Sequence, residues 1–253
     1  MLGYGGAGFI AGTQVLITGG SLDFATTVSY LNMYDTPPSL TMAGRVMHSD
    51  GTNAYSGSIN FDVTMGSMGI FTRNAMLKRY YEFDVEINDG NSAYKMEKCK
   101  VTSLTLAGTA GGLVTAQVGF LSKKTIISGT STAAFIRDSS TLLGYWYTGT
   151  GLSDNLKDWN LTMSQEARLA YCNEAGMEPA YIKVGGVSYT LSVTSYDELS
   201  GPSAITIGTQ SFTLTGNTVG HGFSFGGVTD VGSYNYTFET SSDTGISNSL
   251  VIS

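Results

Sequence analysis

Hydrophobic and polar residues alternate in short runs along most of the chain. Ile59, Phe61 and Val63 fall on one face of such a run and the intervening polar residues on the other, a pattern typical of a half-buried antiparallel strand. Gly- and Asn-rich turns separate the runs, so we predict an all-β fold built as a sandwich or barrel. The predicted strands are 15–17, 58–65, 81–87, 101–106, 113–121, 145–148, 159–163, 187–194, 204–207, 211–214 and 234–240.

One segment has helical character. Thr72–Arg79 contains good helix formers, a Thr that can cap its start, and basic residues in its last turn, where the helix dipole favours them. It predicts a single flanking helix of two to three turns. Ser164–Arg168 is a weaker helix candidate, because it continues a strand-like run.

Three segments of the first half resemble three segments of the second half, in the same order. This pattern predicts an internal duplication with a boundary after the strand that ends at Leu121. We therefore expect two tandem, related antiparallel β-sandwich domains, at residues 1–122 and 123–253. The matched pairs are Ser58–Thr64 with Ser188–Thr194, Ser103–Gly108 with Ser211–Gly216, and Leu22–Thr26 with Trp159–Met163.

The connection at residues 31–55 differs from the rest of the first half. It contains Pro37, Pro38, Met42 and several glycines, and no strand of useful length is predicted in it. An unstructured connection this long is unusual in a compact domain, and it indicates a functional arm or a mobile loop.

Composition narrows the possible functions. The 253 residues include 13 Lys and Arg against 20 Asp and Glu, a net charge of −7, and 42% are hydrophobic. This hydrophobic fraction is high enough to build a core, which argues against long intrinsically disordered segments. Its acidity argues against a DNA or RNA reader, which needs a basic face.

Cys99 and Cys172 are expected to be free thiols of a protein made in a reducing cytoplasm.

No segment indicates passage through a membrane. The first residues lack the positive charge of a secretion signal, and no apolar run approaches the ~18 residues that span a bilayer. We expect a soluble protein that does not insert into membranes by itself.

Several short patterns match catalytic motifs in letters but not in context. Gly222–Gly226 fits G-x-S-x-G, yet no helix is predicted after it, as a nucleophile elbow requires. Gly3–Gly8 fits a dinucleotide motif, but no strand precedes it, and we interpret it as a flexible N-terminal arm. His48 and His221 have no His or Cys neighbour at ligand spacing, so no zinc site is expected. We predict no catalytic residue, metal or cofactor, and the protein is not expected to be an enzyme.

Aromatic residues offer one possible binding surface. Tyr145, Trp146, Tyr147 and Trp159 could stack against a sugar, but alternation places at most two of the first three on one face. Core packing or a subunit interface is the favoured interpretation.

Several runs resemble tail proteins of long-tailed bacteriophages. Lys98–Ser122 is similar to the closing strand pair of their tail tube proteins, and Leu142–Gly151, Lys157–Ala167 and Pro179–Tyr196 resemble tail proteins in pattern. The resemblance implies β-sandwich subunits with one flanking helix, which join into rings around a channel and stack through a long hairpin or loop. It places the protein in the virion tail, assembled in the host cytoplasm.

The resemblance also implies partners and contacts. The chain would bind copies of itself and other tail proteins, while genomic DNA passes through an acidic channel without specific binding, because a wall of like charge repels phosphate. Residues 31–55 would form the arm between rings, with Tyr34, Pro37, Pro38 and Met42 as its contacts.

Two sandwiches per chain would make a trimer with pseudo-six-fold symmetry the expected ring. The alternative is a decoration, baseplate or receptor-binding β-protein that uses a Tyr and Trp surface to hold a glycan.

Overall fold

The computed structural model describes residues 6–33, 45–64, 66–67, 69–72, 81–88, 93–109, 111–128, 156–172, 177–198, 204–207, 210–214, 217–225, 232–242 and 250–252. These residues lie almost entirely in antiparallel strands, which confirms the predicted all-β class. The elements are β1 (Gly6–Ile10), β2 (Thr13–Met33), β3 (Arg45–Asp62), α1 (Gly69–Thr72), β4 (Phe83–Asn88), β5 (Ala93–Thr109), β6 (Thr115–Ser122), β7 (Lys124–Ser128), β8 (Leu156–Ala170), β9 (Tyr181–Ser195), β10 (Ala204–Ile207), β11 (Gln210–Leu214), β12 (Asn217–Ser224), β13 (Ser233–Ser242) and β14 (Leu250–Ile252).

Six strands close into a barrel. Their order is β5-β4-β1-β2-β3-β6, and β6 returns to pair with β5. The strands bury one face in this barrel: every second residue of β6 from Ala116 to Phe120 is buried, while Thr115 and Gln117 are exposed. Closure removes the open sheet edges of these strands within the barrel.

Strand β5 belongs both to the barrel and to an outer sheet. One edge of β5 pairs with β7 over its first part and with β6 over its second part. The other edge pairs with β4 over its first part and with β8 from Ser103 to Thr109. The register shifts between Val101 and Ser103, close to where the partner strand changes. There the buried Gln165 side chain donates a hydrogen bond from Nε2 to the Val101 carbonyl (2.9 Å). The outer sheet then continues in the order β8-β9-β13-β12.

A row of buried side chains crosses the sheet from the barrel to the outer strands. Directly opposed residues of neighbouring strands lie on the same face, so the register itself defines the row. It connects strands from both halves of the chain, and all its members belong to one hydrophobic core. The members, strand by strand, are Ile17, Phe61, Ala116, Leu106, Leu161, Leu191 and Phe238.

The division into two tandem sandwiches is not confirmed. The sheet runs across the predicted boundary at residue 122, since β7 and β8 both pair with β5. The strand registers also differ between the segments proposed as repeats. The sequence match would place Phe24 opposite Phe61, as Leu161 lies opposite Leu191, but Phe24 lies opposite Tyr55. The domain boundaries therefore stay a prediction.

Both helix predictions need correction. The helix does not begin at Thr72, because α1 already runs from Gly69 to Thr72, and residues 73–80 lie outside the described part. The helix starts before Thr72 because its first turn packs into the core. Ile70 and Phe71 are both 0% exposed, and Phe71 stacks on Phe61 with 6.2 Å between ring centroids. The weaker candidate, Ser164–Arg168, is wrong, since these residues lie within β8 and pair with β5 and β9.

The predicted lack of strands in residues 31–55 is wrong as well. Strand β2 continues to Met33, and β3 begins at Arg45 and pairs with it.

The N-terminal arm predicted at Gly3–Gly8 is also partly wrong, because Gly6 to Gly8 lie in β1. A two-residue turn at Ala11 and Gly12 joins β1 to β2, and both residues have positive φ (52° and 76°), as a type I′ hairpin turn requires.

Candidate assembly surface

The β2–β3 hairpin extends well beyond the barrel. Strand β1 pairs with β2 only as far as Ile17, and β6 pairs with β3 only as far as Tyr55. From Phe24 and Tyr55 outward, the two strands pair with each other up to Met33 and Arg45. Nine residues of β2 at ~3.3 Å each make this extension about 30 Å long. We call residues 25–33 and 45–54 the arm.

A segment of the second half holds the base of the arm. Where β6 ends, the backbone N–H of Asn53 donates to the Met177 carbonyl (2.8 Å), and the Tyr171 hydroxyl donates to the Asn53 carbonyl (2.7 Å). The Asn53 side chain also accepts a hydrogen bond from the Thr26 hydroxyl across the hairpin (2.9 Å). At this point the connection between β8 and β9 replaces β6 as the partner of β3. These hydrogen bonds therefore hold the arm where it leaves the barrel.

A carboxylate completes this anchor. One oxygen of Glu178 accepts hydrogen bonds from the Tyr55 hydroxyl (2.8 Å) and from Asn53 Nδ2 (3.1 Å). Burial, followed by the hydrogen bond to Glu178 and its negative charge, raises the pKa of Tyr55 to about 12. The second oxygen, Oε2, is buried and has no hydrogen-bond partner in the described part of the chain. We call Asn53, Tyr55, Tyr171 and Glu178 the anchor cluster.

A cleft of about 420 Å³ lies beside the base of the arm, at the end of the barrel where β1 begins and β4 ends. Its described lining is mainly apolar and includes Ile17, Leu22, Ile87, Phe24 and Tyr94, and the last two stack with 6.5 Å between ring centroids. No carboxylate, imidazole or thiol is among these lining residues. The cleft therefore offers apolar contact area and no evident chemistry.

Strand β12 presents a second surface at the end of the outer sheet. Phe223 is 53% exposed and Phe225 77% exposed. The ring of Phe223 lies 4.8 Å from that of Tyr234 on β13, and the ring of His221 lies 4.8 Å from that of Tyr236. This aromatic face, made of His221, Phe223, Phe225 and Tyr234, was not predicted from the sequence, because Gly220 and Gly222 interrupt the apolar pattern of the strand.

The predicted contact residues fall within residues 34–44, which connect the two strands of the arm in sequence and which we call the tip. Tyr34, Pro37, Pro38 and Met42 lie outside the described residues, and the structure describes the chain on both sides of them. Their assignment as contacts stays a prediction. The described paired strands bring the two ends of this segment, Met33 and Arg45, opposite each other.

The predicted aromatic platform changes in one respect. Residues 145–147 lie outside the described part, and Trp159 is 3% exposed in the core. Gly108 lies opposite Trp159 and leaves room for its indole ring. Trp159 therefore packs in the core, as the favoured interpretation has it, and offers no surface for a sugar.

The described motif residues Ser224 and His48 lie on strands that are not neighbours in the sheet. Ser224 ends β12, and His48 lies in β3 opposite Tyr30. Among the described residues, no group of three or more His, Cys, Asp or Glu side chains is placed to hold a metal ion. Cys99 and Cys172 are free thiols, and burial raises the pKa of Cys99 to about 12, which keeps it protonated.

The sequence matches no protein-family model, and no curated protein matches it. The described part of the chain contains no helix with the length and apolar character needed to cross a membrane.

Proposed function

We propose that the protein is a structural subunit of a bacteriophage tail tube, which assembles with copies of itself into stacked rings. The observation that carries this proposal is the arm. Two-stranded hairpins are at best marginally stable alone in water, and this one extends about 30 Å past the strands that flank it in the barrel. Contact with a neighbouring subunit would stabilise it, as stacking of rings provides.

The charge of the chain supports a role around DNA without binding to it. With a net charge of −7, the subunit would line a channel that repels phosphate. In this proposal the virion tail is the location, host cytoplasm the place of assembly, and other tail proteins the further partners. The ring is a trimer in which each chain supplies two β layers, giving pseudo-six-fold symmetry.

Electron microscopy of the purified protein tests the proposal directly. We expect stacked rings or hollow tubes in negative stain, and averaged end views with three chains per ring. A homogeneous monomer at high protein concentration, without rings or tubes, would contradict the proposed function. A ring of six whole chains would keep the tube and overturn the trimer.

Removal of the arm is the sharper test. Residues 29–49 are deleted and Val28 is joined to Asp50 by Asn-Gly, because these two residues pair in the hairpin and Asn-Gly favours a tight turn. The anchor cluster is retained. We expect a folded protein with unchanged β-sheet circular dichroism that forms no tubes.

A matched control separates the length of the arm from the chemistry of its tip. It keeps every residue up to Met33 and from Arg45 onward, and replaces residues 34–44 by Gly and Ser. Loss of tubes in this variant would support the tip contacts, including Tyr34, Pro37, Pro38 and Met42. Normal tubes from the arm deletion itself would refute a role for the arm in stacking.

One observation favours a second candidate, a decoration, baseplate or receptor-binding protein of the virion. The aromatic face of β12 and β13 carries the exposed rings of Phe223 and Phe225, and a glycan-binding surface needs exposed rings. Trp159, a member of the aromatic platform predicted from the sequence, is buried and is not part of this face. Discrete particles that bind immobilised glycans, and lose binding in Phe223→Ala, would support this candidate over the tube.

A further inference from the structure

Among the described strands, β12 is an open sheet edge that carries neither charge nor proline. It ends the outer sheet, and Asn217–Ser224 contains no Lys, Arg, Asp, Glu or Pro. Proteins normally block such edges with charge, proline, a bulge or short length, because an unpaired row of N–H and C=O groups pairs with other chains. Its pairing with β13 does carry one irregularity, between Thr218 and Gly220, but the ladder is regular from Gly220 to Ser224.

The exposed aromatic face lies along this same edge. Phe223 and Phe225 stack with 5.8 Å between their ring centroids, and Phe223 continues onto Tyr234. An incoming strand would gain backbone hydrogen bonds from β12 and apolar contact from these rings. The surface is therefore suited to a peptide strand rather than to a charged ligand.

The arm supplies a second edge of the same kind. No described strand pairs with the outer edge of β2 beyond Ile17, and Ala25–Met33 contains no charged residue. Its pairing with β3 has one irregularity, between Thr26 and Val28, and is regular from Val28 to Met33. The other side of the arm is different, because β3 carries Arg45 and Asp50 and is covered at Asn53 by the Met177 carbonyl. The β2 side is thus the open side of the arm.

The other described edges are short or charged. The free strands of the small sheet, β10 and β14, have four and three residues. Strand β7 begins with Lys124, and the part of β8 beyond β5 carries Glu166 and Arg168. Short length and charge both disfavour strand addition. Among the described strands, β12 and the β2 side of the arm are therefore the two longest edges without a charged residue or proline.

We infer that the β2 side of the arm of one subunit pairs with β12 of a second copy of this chain. The regular parts of the two edges are similar in length, with six residues from Val28 to Met33 and five from Gly220 to Ser224, and six strands separate them along the sheet of one subunit. Because the surfaces that meet are different, each copy offers one arm and one acceptor edge, and the contact propagates from copy to copy. The inference rests on the proposed self-assembly and specifies the surfaces that carry it.

A charge placed on the acceptor edge tests this contact. A Cβ added at Gly222 meets no atom within 4 Å, so Gly222→Lys is compatible with the subunit fold. We expect this variant to fold normally and to self-associate at least about tenfold more weakly in sedimentation velocity. Gly222→Ala is the matched control and should associate like the native chain. Native-like association of Gly222→Lys would overturn the inference.

Mixing two defective chains distinguishes the proposed contact from pairing between two β12 strands. The Gly222→Lys chain retains its arm, and the chain lacking residues 29–49 retains its acceptor edge. Each should be monomeric alone, and an equimolar mixture should give a 1:1 dimer that does not grow. Self-association of the arm-deleted chain, or a mixture that stays monomeric while the native chain assembles, would overturn the inference.

The two proposals fail in different ways. Native tubes together with unaltered assembly of Gly222→Lys would reject the arm–β12 contact and leave the tube function standing. A 1:1 dimer from the mixture, with no tubes from the native chain, would support the contact and reject the tube.

Discussion

The anchor cluster shows how a few polar residues control a large element. Tyr55 is 7% exposed, and its hydroxyl and Asn53 both donate to the same oxygen of Glu178. A carboxylate that loses a buried donor costs more than an ordinary hydrogen bond, because its charge is left poorly compensated. These residues connect the arm in the first half to the β8–β9 connection in the second.

Tyr55→Phe should therefore destabilise the protein. The change keeps the ring and removes only the hydroxyl that donates to Glu178, so we expect a loss of about 1–3 kcal/mol in the free energy of unfolding. Urea denaturation followed by circular dichroism measures it. Tyr196→Phe, at a 42% exposed position, is the control and should change stability by less than about 0.5 kcal/mol. Equal stabilities of the two variants would show that the hydrogen bond to Glu178 contributes nothing.

Alkaline pH should act on the same residue. The folded pKa of Tyr55, about 12, lies above its ordinary value of 10.0, so its proton stabilises the folded chain. This contribution is complete below about pH 10 and is lost as the pH rises towards 12. The fall in urea midpoint between about pH 9 and about pH 11 should be smaller in Tyr55→Phe than in the native chain. An identical fall in both would contradict the assignment.

At the level of strands, the pairing of β5 with β8 depends on a close contact between Gly108 and Trp159. A Cβ at Gly108 would lie 2.6 Å from Nε1 of Trp159 and 2.7 Å from Cε2 of the same ring. Trp159 is buried and cannot move away without disturbing the core. The absence of a side chain at Gly108 is what allows the Trp159 ring to lie against β5 at this position.

Gly108→Ala should weaken this junction. Overpacking of a core typically costs about 1–3 kcal/mol, and we expect a loss in that range by thermal or urea unfolding. Gly222→Ala adds the same methyl group in open space and should change stability by less than about 0.5 kcal/mol. A Gly108→Ala protein as stable as Gly222→Ala would show that Trp159 can shift freely.

Strands with one buried face were predictable from the sequence, whereas strands paired only with each other were not. Val187–Thr194 appears in β9, because burial on one face imposes alternation. The strands of the arm leave the barrel, and their sequence has no sustained alternation to indicate them. β1 was missed because Gly6 and Gly8 within it, and Gly5 before it, carry no side chain that could show a pattern.

The place of the arm in the sequence could be predicted, but its paired strands and its anchor cluster could not. Length and proline content indicated an arm near residues 31–55, but the paired strands and the anchor cluster depend on contacts between distant parts of the chain. Asn53 and Met177 are brought together only by the fold. The edge at β12 was equally hidden, since a sequence does not reveal which strand ends a sheet.

For the molecule as a whole, the shared core joins the two halves more closely than the sequence pattern indicated. The buried row crosses from Phe61 in β3 to Phe238 in β13 without a break at residue 122. A fragment that ends at residue 122 would leave Leu104 and Leu106 beside an unpaired edge of β5.

The position of β5 in the chain also has a consequence for biosynthesis. All six barrel strands precede residue 123, so they leave the ribosome before β8, whose pairing with β5 begins at Asp158. Until then residues Ser103 to Thr109 of β5 lack their β8 partner, and an unpaired strand edge of this kind makes a nascent chain prone to aggregation. Rapid translation of residues 129–155 shortens that interval, and slowing it with rare codons would lengthen the time in which newly made chains aggregate.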